Sequence, residues 1–429
     1  MLLNGEEIFF IPSRDQNRTL VYAPLRSYVA VTSREHAAVL CSGDPTVHLD
    51  KLNTALRVRP LVRIQPHWLN GATAPKIQRL TISLSERCNL RCIYCHAYRE
   101  GHKPQTLSLS MLAAAVTAFC SYARAPLLFF EFLGDGEPTL YLEGLRRCIE
   151  TIECQQRIRP FTRRIALTTN GTFGVEAREF VTQTVDDLTI SFDGYKEIQD
   201  RQRQRVNGLS CYQTVYDNIC SLLRSEINLT LRITVTPISI SHIEAILQFL
   251  AESFPGIAVR IEPMRSAGRA TVCFPEASDL SVQLASALAS SEVLRSQRVR
   301  IADPYNGACT MYDHIRTVGC PMLEFGNWQL ASDGSISSCA TVIRPNPLML
   351  GNLGSSEHAV LDLVSSIENL RKAYSVTNRQ ACEACFCKYH CAGGCPVYPP
   401  DANGNFCRDV QESGRNWLEN KCGIMPTTP

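Results

Sequence analysis

The sequence predicts an α/β fold built on parallel strands, with a small α+β segment before it and an irregular, thiol-rich segment after it. The prediction rests on three observations. Between residues 77 and 300, six apolar runs alternate with five helical patterns. Such alternation implies parallel strands joined by right-handed crossovers. Residues 1–76 carry three short strand-like runs followed by helix-like ones, and residues 301–429 lose the alternation and hold ten of the 20 cysteines.

In the first segment, Ile8 to Ile11, Leu20 to Tyr22 and Tyr28 to Val31 are short, apolar and bounded by turn residues, as strands are. Helices are expected at Ser33 to Leu40, with Ser33 as N-cap, and at Val47 to Leu56. Pro60, Pro66, Gly71 and Pro75 then mark a linker.

The six strands expected next are Leu80 to Leu84, Leu127 to Leu133, Arg164 to Thr168, Leu188 to Phe192, Leu229 to Val235 and Ala258 to Ile261. The helices between them are Ser108 to Tyr122, Tyr141 to Ile158, Val175 to Thr184, Tyr212 to Ser225 and Ser241 to Phe254. Chemistry in parallel α/β folds gathers at the carboxyl ends of strands. The residues richest in chemistry stand there. Cys88, Cys92 and Cys95 follow the first strand at C-x3-C-x2-C spacing, and Gly134-Asp135-Gly136-Glu137-Pro138 follows the second. Asn170-Gly171 follows the third, and Ser191-Phe192-Asp193-Gly194 the fourth, with Asp200 and Arg203 beyond. Arg232 on the fifth strand and Glu262-Pro263 after the sixth are weaker candidates for lining a pocket.

Composition excludes several classes. Net charge is +2, so no strong field recruits nucleic acid or an anionic membrane. No stretch approaches the roughly 18 apolar residues of a membrane span. The first residues lack a basic stretch followed by an apolar one, so no secretory signal is expected and the expected location is the cytoplasm. Thiols in that reducing compartment are expected free, and their clustering argues for metal sites. Three thiolates are one short of a closed zinc or iron–sulfur site. A [4Fe–4S] cluster held by three leaves one iron open to a ligand.

The triad, with Tyr94 just before its third Cys, resembles the signature of the radical S-adenosylmethionine (radical SAM) superfamily. The resemblance implies a partial (β/α)6 TIM-type barrel over 77–300. It also implies a [4Fe–4S] cluster on Cys88, Cys92 and Cys95 whose open iron binds S-adenosylmethionine. The reduced cluster then cleaves the cofactor to a 5′-deoxyadenosyl radical that abstracts hydrogen from a substrate. Gly134 to Pro138 is similar to the superfamily's GGEP motif, which holds the cofactor's amino group; Asp135, between the glycines, departs from it. Ser191 to Arg203 resembles a segment of peptide-modifying members, which places Ser191 near the cofactor ribose and gives Asp193 and Arg203 an ordering role over the barrel mouth. The cofactor-binding residues so implied are Tyr94, Gly134, Asp135, Gly136, Glu137, Asn170, Ser191 and Arg203.

Beyond residue 300 the spacing of Cys320, Gly334, Cys339, Cys382, Cys385, Cys391, Cys395 and Cys407 resembles the seven-cysteine SPASM domain of such enzymes. That implies two auxiliary [4Fe–4S] clusters. One would use Cys320, Cys339 and Cys395, with Cys309 or His314 as fourth ligand or the remaining iron open to a substrate group. The other would use Cys382, Cys385, Cys391 and Cys407. Cys387 and Cys422 have no place in the pattern. An auxiliary cluster suits the removal of a further electron from a substrate radical.

The expected protein is a radical SAM/SPASM maturase of a peptide or protein, with a ribosomally made precursor peptide as the favoured substrate. Its chemistry ends in an oxidation or cross-link. A flavodoxin or ferredoxin is the expected electron donor. The first segment resembles, in layout, modules that add a leader peptide as an extra strand. Two alternatives stand beside this: a sulfatase-maturating, formylglycine-forming enzyme, which Ala340 disfavours because relatives carry Asp after the Cys matching Cys339, and a non-catalytic iron–sulfur or zinc scaffold that binds a peptide. No catalytic acid or base is named.

Overall fold

The computed structural model describes residues 2–3, 6–42, 52, 78–275, 280–302, 315–320, 322–323, 327–339, 347–352, 359–397 and 405–424. Contacts divide the chain into two compact units. The smaller comprises Met1–Ala74, Gly307–Glu324 and Glu368–Pro429; the larger comprises Pro75–Asn306 and Phe325–Ile367.

The smaller unit begins with a short antiparallel pair, β1 (Leu2–Leu3) and β2 (Glu6–Glu7). A three-stranded antiparallel sheet follows: β3 (Phe9–Pro12), β4 (Arg18–Ala23) and β5 (Tyr28–Ser33). Helix α1 (Arg34–Cys41) starts on Ser33, whose hydroxyl accepts from the His36 amide, as expected. The helix expected at 47–56 lies outside the described residues, Leu52 apart. Every residue of β4 after Arg18 is buried, so the strand needs cover on both faces. Ile8, Val21 and Ala23 pack together with Tyr28 and Leu52 on one side. On the other, Ile11, Leu20 and Tyr22 pack with Trp417 and Leu418 of the helix Asn405–Lys421. The sequence expectation set residues 1–76 and 301–429 apart; contacts instead join Met1–Ala74 with Gly307–Glu324 and Glu368–Pro429, while Phe325–Ile367 goes with the larger unit.

The larger unit carries the expected parallel sheet. Its elements are β6 (Arg79–Ile82), α2 (Leu109–Tyr122), β7 (Leu127–Phe132), α3 (Leu142–Ile158), β8 (Thr162–Thr169), α4 (Val175–Thr184), β9 (Asp187–Ser191), α5 (Lys196–Gln202), α6 (Tyr212–Leu222), β10 (Asn228–Val235), α7 (Ile243–Ser253) and β11 (Ala258–Pro263). Strands β6 to β11 pair in sequence order and in parallel, the arrangement of a partial (β/α)6 barrel. Each strand buries alternate residues. Leu128, Phe130, Leu231, Ile233, Val259 and Ile261 are fully covered, and Phe130 meets Phe119 of α2 edge-on. The opposite, open face carries polar residues such as Glu131, Thr189 and Arg232.

The sheet runs past the six strands on both sides. At one edge β12 (Arg300–Ile301) pairs with β11. At the other, β13 (Asn327–Leu330) lies parallel to β6 and continues antiparallel into β14 (Ser335–Ser337) and β15 (Met349–Asn352). In residues 301–429 the sequence shows the helix–strand alternation stop and marks no strands. Trp328, fully buried against Phe119 and Tyr122, holds β13 on α2. Gly334 turns the β13–β14 hairpin at φ +81°, which few residues but glycine adopt.

Candidate active site

The thiol loop leaves β6 and is gripped from three directions. The Glu137 amide donates to the Arg87 carbonyl at 2.8 Å. A Cβ at Gly136 would stand 2.4 Å from the carbonyl oxygens of Ser85 and Arg87, and one at Gly134 would stand 2.3 Å from Ser83 Oγ. These glycines therefore let the loop after β7 press on the root of the thiol loop. On a second side the amides of Arg91 and Ile93 donate to the carbonyls of Gln204 and Gln202 at 2.7 and 3.0 Å. On the third, Arg269 donates from its guanidinium to the Cys92 carbonyl and from its amide to the Cys95 carbonyl, both at 2.9 Å. Gly268, at φ +58°, approaches that carbonyl so closely that a Cβ would lie 2.3 Å from it.

The thiols carry specific neighbours. Asn170 Nδ2 is 3.8 Å from Cys88 Sγ, and Arg203 Nη1 is 3.9 Å from Cys92 Sγ. Cys88 keeps an exposed edge, yet the protein packed around it pushes its thiol up to about 11. Burial pushes Cys92 up to about 12 against the pull of Arg203. Both are thus neutral thiols at pH 7, and a metal binding there would release their protons.

Beside the loop lies a buried charge network centred on Asp193, which is fully enclosed. Its Oδ2 accepts from Tyr94 Oη at 2.6 Å, Gln202 Nε2 at 2.9 Å and Arg203 Nε at 3.0 Å, and its Oδ1 accepts from the Thr234 amide at 3.0 Å. The Arg203 guanidinium also stands 5.2 Å from the centre of the Tyr94 ring. Burial would lower the Arg203 pKa, but Asp193 and its other neighbours raise it overall. Burial likewise lifts Tyr94 well above the usual phenol range.

Glu137 is the second hub. Its Oε1 accepts from the Thr139 amide, Thr139 Oγ1 and Thr169 Oγ1 at 3.1, 2.6 and 2.6 Å, and its Oε2 accepts from the Asn170 amide at 2.6 Å. Burial raises its pKa, and these hydrogen bonds pull it back. Glu137 thereby ties the loop after β7 to the end of β8. Asp135 is buried, and its amide donates to Ser83 Oγ at 3.3 Å. Ser191 is buried and pairs in register with Arg232. Asp200 lies apart from the hubs, bonded to Lys196 and Ser210 at 2.6 Å each.

The structure therefore gathers Tyr94, Asp193 and Arg203 into one group, and Glu137 and Asn170 into another, both against the thiol loop. Gln202, Gly268 and Arg269 serve the same loop and carry no motif that would mark them in sequence. His96, one step past the triad, is surrounded by Arg232, Arg265 and Glu262, and burial followed by the two guanidiniums pushes it down to about 4.

In the smaller unit Cys382, Cys385, Cys391 and Cys407 lie within electrostatic reach of one another. Cys387 is buried with Val410, next to Cys385, Cys391 and Trp417. Its hydrogen bond with Cys385 pulls that thiol down to about 6. Cys422 packs with the core of Ile11, Leu20 and Tyr22. Gly319 abuts the carbonyls of Cys391, Ala392 and Gly394, so the backbone at Cys320 adjoins that leading to Cys395. Cys339 belongs to the larger unit, two residues past β14. Cys309 and His314 lie outside the described residues.

Among the described residues no three His, Cys, Asp or Glu side chains converge as a single metal ion requires. A cubane cluster takes its thiolates at separate irons and needs no such convergence. Three thiols on one loop, with no carboxylate or imidazole bonded to them among the described residues, fit an iron–sulfur group by donor softness.

Comparison with known proteins agrees with this geometry. Residues 82–250 match the model of the radical SAM superfamily. A GTP 3′,8-cyclase of Stenotrophomonas maltophilia (strain R551-3) is 34% identical over 95 residues, 22% of this chain and 26% of that protein. A cysteine-type anaerobic sulfatase-maturating enzyme of Clostridium novyi (strain NT) is 29% identical over 172 residues, 38% of this chain and 45% of that one. The chain thus spans about a quarter of the length of the first curated relatives it matches. Among solved structures, native anSMEcpe with bound AdoMet superposes with TM-score 0.63 at 19% identity, covering 81% of this chain and 100% of that one. Streptococcus suis SuiB bound to precursor peptide SuiA gives 0.57 at 14% identity, covering 92% and 98%. At such identities the likeness is one of fold.

Proposed function

We propose that this chain, which carries a radical SAM domain at residues 82–250, is a maturase that oxidatively modifies a peptide or protein. The observation that carries the reading is the thiol loop itself, held at the carboxyl end of β6 against the buried Asp193–Arg203–Tyr94 network. Cys88, Cys92 and Cys95 would hold a [4Fe–4S] cluster. Tyr94, Gly134, Asp135, Gly136, Glu137, Asn170, Ser191 and Arg203 would shape the cradle for S-adenosylmethionine. When bound, that pair would supply one-electron chemistry that generates a carbon-centred radical. The chain's own part is to bind, orient and keep water out. Arg203 sets a fixed positive charge near Cys92, and Asp193 holds that charge in place. Gly136 and Gly268 allow the close approaches that shape the loop.

Support for a peptide substrate comes from the fold. SuiB binds the precursor peptide SuiA, and anSMEcpe has been captured with AdoMet and a peptide. The three-stranded sheet of the smaller unit has β3 and β5 as its outer strands. A leader segment that added a strand there would use backbone pairing for affinity. Cys382, Cys385, Cys391 and Cys407 would hold an auxiliary cluster, and the shared role of Cys320, Cys339, Cys395 and Cys309 stays with the sequence spacing. A flavodoxin or ferredoxin would supply electrons. Among the described residues no helix is long and apolar enough to cross a membrane.

The test is anaerobic mass spectrometry of reconstituted enzyme with S-adenosylmethionine, a reductant and the short peptide encoded nearest its gene. A peptide lighter by two hydrogens, with 5′-deoxyadenosine formed alongside, is expected. The Cys92→Ala variant should form neither. Turnover in that variant would remove the radical assignment, and 5′-deoxyadenosine with an unchanged peptide would remove the peptide assignment alone. The match to the Clostridium novyi enzyme favours sulfatase maturation as the second reading. Conversion of a Cys or Ser in a sulfatase-derived peptide to formylglycine would select it.

A further inference from the structure

Strand β13 brings to the barrel interior an amide that the fold does not use. Trp328 packs on Phe119 and Tyr122 of α2, so its neighbours Asn327 and Gln329 face the other side of the sheet. On β6 and β7 that side carries Thr81 and Glu131, in register with Gln329. Gln329 is only 2% exposed, yet neither its Oε1 nor its Nε2 has a hydrogen-bond partner among the described residues. Asn327, also buried, spends one end of its amide on Thr81 Oγ1 at 3.2 Å, and its other end has no partner among them. Glu131 is engaged by Arg79 at 3.0 Å and by Thr81 at 3.4 Å. Native interiors pair nearly all buried polar groups, because one left unpaired costs stability. Both ends of one side chain left so point to a ligand.

Gln329 lies between two parts of the proposed chemistry. Two residues beyond Thr81, toward the end of β6, stands Ser83, whose Oγ accepts from the Asp135 amide at 3.3 Å. At about 3.3 Å per residue, the Gln329 layer is about 7 Å below the root of the glycine loop. On its other flank Gln329 pairs with Ser337 of β14, and Ser337 Oγ donates to the Cys339 carbonyl at 2.9 Å. A peptide entering the barrel beneath the thiol loop would meet this amide.

We propose that Gln329, with Asn327 beside it, binds a main-chain amide of the peptide substrate. The inference rests on the peptide reading and adds to it the residue that receives the backbone. A carboxamide offers an acceptor and two donors in one plane. An extended residue presents its own N–H and C=O to one side, so Oε1 accepts from the first and Nε2 donates to the second. An ionised group would fit poorly, since it would give up water for a neutral partner. Away from bulk water each such bond counts for more. Both atoms are covered in the free chain, so the peptide must move side chains aside to reach them. Recognition of backbone leaves the side-chain sequence free and fixes the register, and so fixes which residue faces the thiol loop.

The first test measures binding alone. Labelled peptide, the short one encoded nearest the gene, is titrated with reconstituted enzyme loaded with S-adenosylmethionine and kept without reductant. Its backbone amides are replaced one at a time by esters, each of which removes an N–H. At one position the ester should weaken binding about tenfold with wild type, the scale of a lost hydrogen bond whose partner stays buried. With Gln329→Met the same ester should cost nothing further. The affinity for S-adenosylmethionine should be equal in the two enzymes. Equal losses at every position in both enzymes overturn the proposal. So does a loss of S-adenosylmethionine affinity, which would give the amide to the cofactor.

The second test asks whether the amide serves the fold instead. Met nearly matches Gln in shape and removes both unpaired groups, so apo Gln329→Met should unfold at the same or higher urea. Lower stability overturns the proposal, because the amide then holds an internal water or a neighbouring side chain. Modification of the peptide is assayed separately. An ester effect that needs Gln329, without modification, removes the maturase reading and leaves the site. Modification without that effect removes the site and leaves the maturase reading, and a peptide that does not bind wild type removes both.

Discussion

Asp193 concentrates more of the local architecture than any residue the motifs mark as a ligand. It balances Arg203, fixes the Tyr94 hydroxyl and receives the Thr234 amide. An Asp193→Asn substitution leaves Arg203 buried without its counter-charge, and breaking such a pair costs about 3–5 kcal/mol. The apo protein should unfold at markedly lower denaturant, measured by circular dichroism, and iron content after reconstitution should fall with it. Arg164 and Asp187 make a more exposed pair, and their hydrogen bond holds the Asp187 carboxyl below its ordinary 3.8. Because the folded-state value is the lower one, the pair stabilises the protein above about pH 4. The contribution is lost as pH falls through the depressed value. At its exposure it is worth about 0.5–1 kcal/mol. Asp187→Asn should therefore lower stability at pH 7 by that amount and leave it unchanged near pH 2, by parallel urea titrations. The triad and the glycine loop were legible in sequence because their residue types carry the chemistry. Gln202 and Arg269 were not, because they act through backbone carbonyls and a carboxylate that only folding brings near.

At the scale of elements, close backbone approaches decide where the thiols sit. A Gly136→Ala methyl would press on two carbonyl oxygens at 2.4 Å, and a Gly268→Ala methyl on another at 2.3 Å with a left-handed backbone besides. Either variant should reconstitute with less iron and show altered thiol reactivity in the apo protein. Gly208→Ala, whose Cβ meets nothing within 4 Å, is the control for backbone strain alone. Strands β6 to β11 were readable because their helix-facing residues are continuous apolar runs or strict alternations. Strand β13 was not: Asn327-Trp328-Gln329-Leu330 alternates polar and apolar residues, but four positions make too short a run to stand out as a strand. Helix α5 escaped notice because Lys196–Gln202 is almost wholly polar, its burial coming from Ile198, Gln199 and Gln202.

For the molecule as a whole, the N-terminal sheet and the thiols from Cys382 to Cys422 share one compact unit. Ser13 Oγ and the Arg14 amide both donate to the buried Glu419, at 2.7 and 2.8 Å. Tyr389 donates to Glu7 at 2.7 Å, and Lys388 pairs with the same carboxylate. Tyr22 and His390 meet at 2.5 Å with stacked rings. Residues 388–390 fall between Cys387 and Cys391. Deleting residues 1–42 should therefore do more than remove the sheet on which a leader would pair. On the proposed auxiliary cluster, the truncated chain should lose the iron that Cys382, Cys385, Cys391 and Cys407 would hold, measured by iron analysis against a Cys382→Ala control. Retention of that iron would mark the sheet as dispensable to its neighbours. This partnership was invisible in sequence because apolar residues on both faces of β4 announce a need for cover without naming what supplies it.

The pairing of β6 with β13 also orders events in time. Thr81 meets Asn327 across 246 residues of chain, so the edge of the first barrel strand stays bare while the intervening residues emerge from the ribosome. Contacts so distant in sequence form slowly, and a bare strand edge invites other strands. The loop that ends this strand holds the triad. A nascent chain would present those thiols beside an unsealed edge, and metal loading would follow the arrival of Trp328. Cells that produce the chain faster than they complete that closure should accumulate it in inclusion bodies, and slower translation should raise the soluble fraction before any iron is supplied.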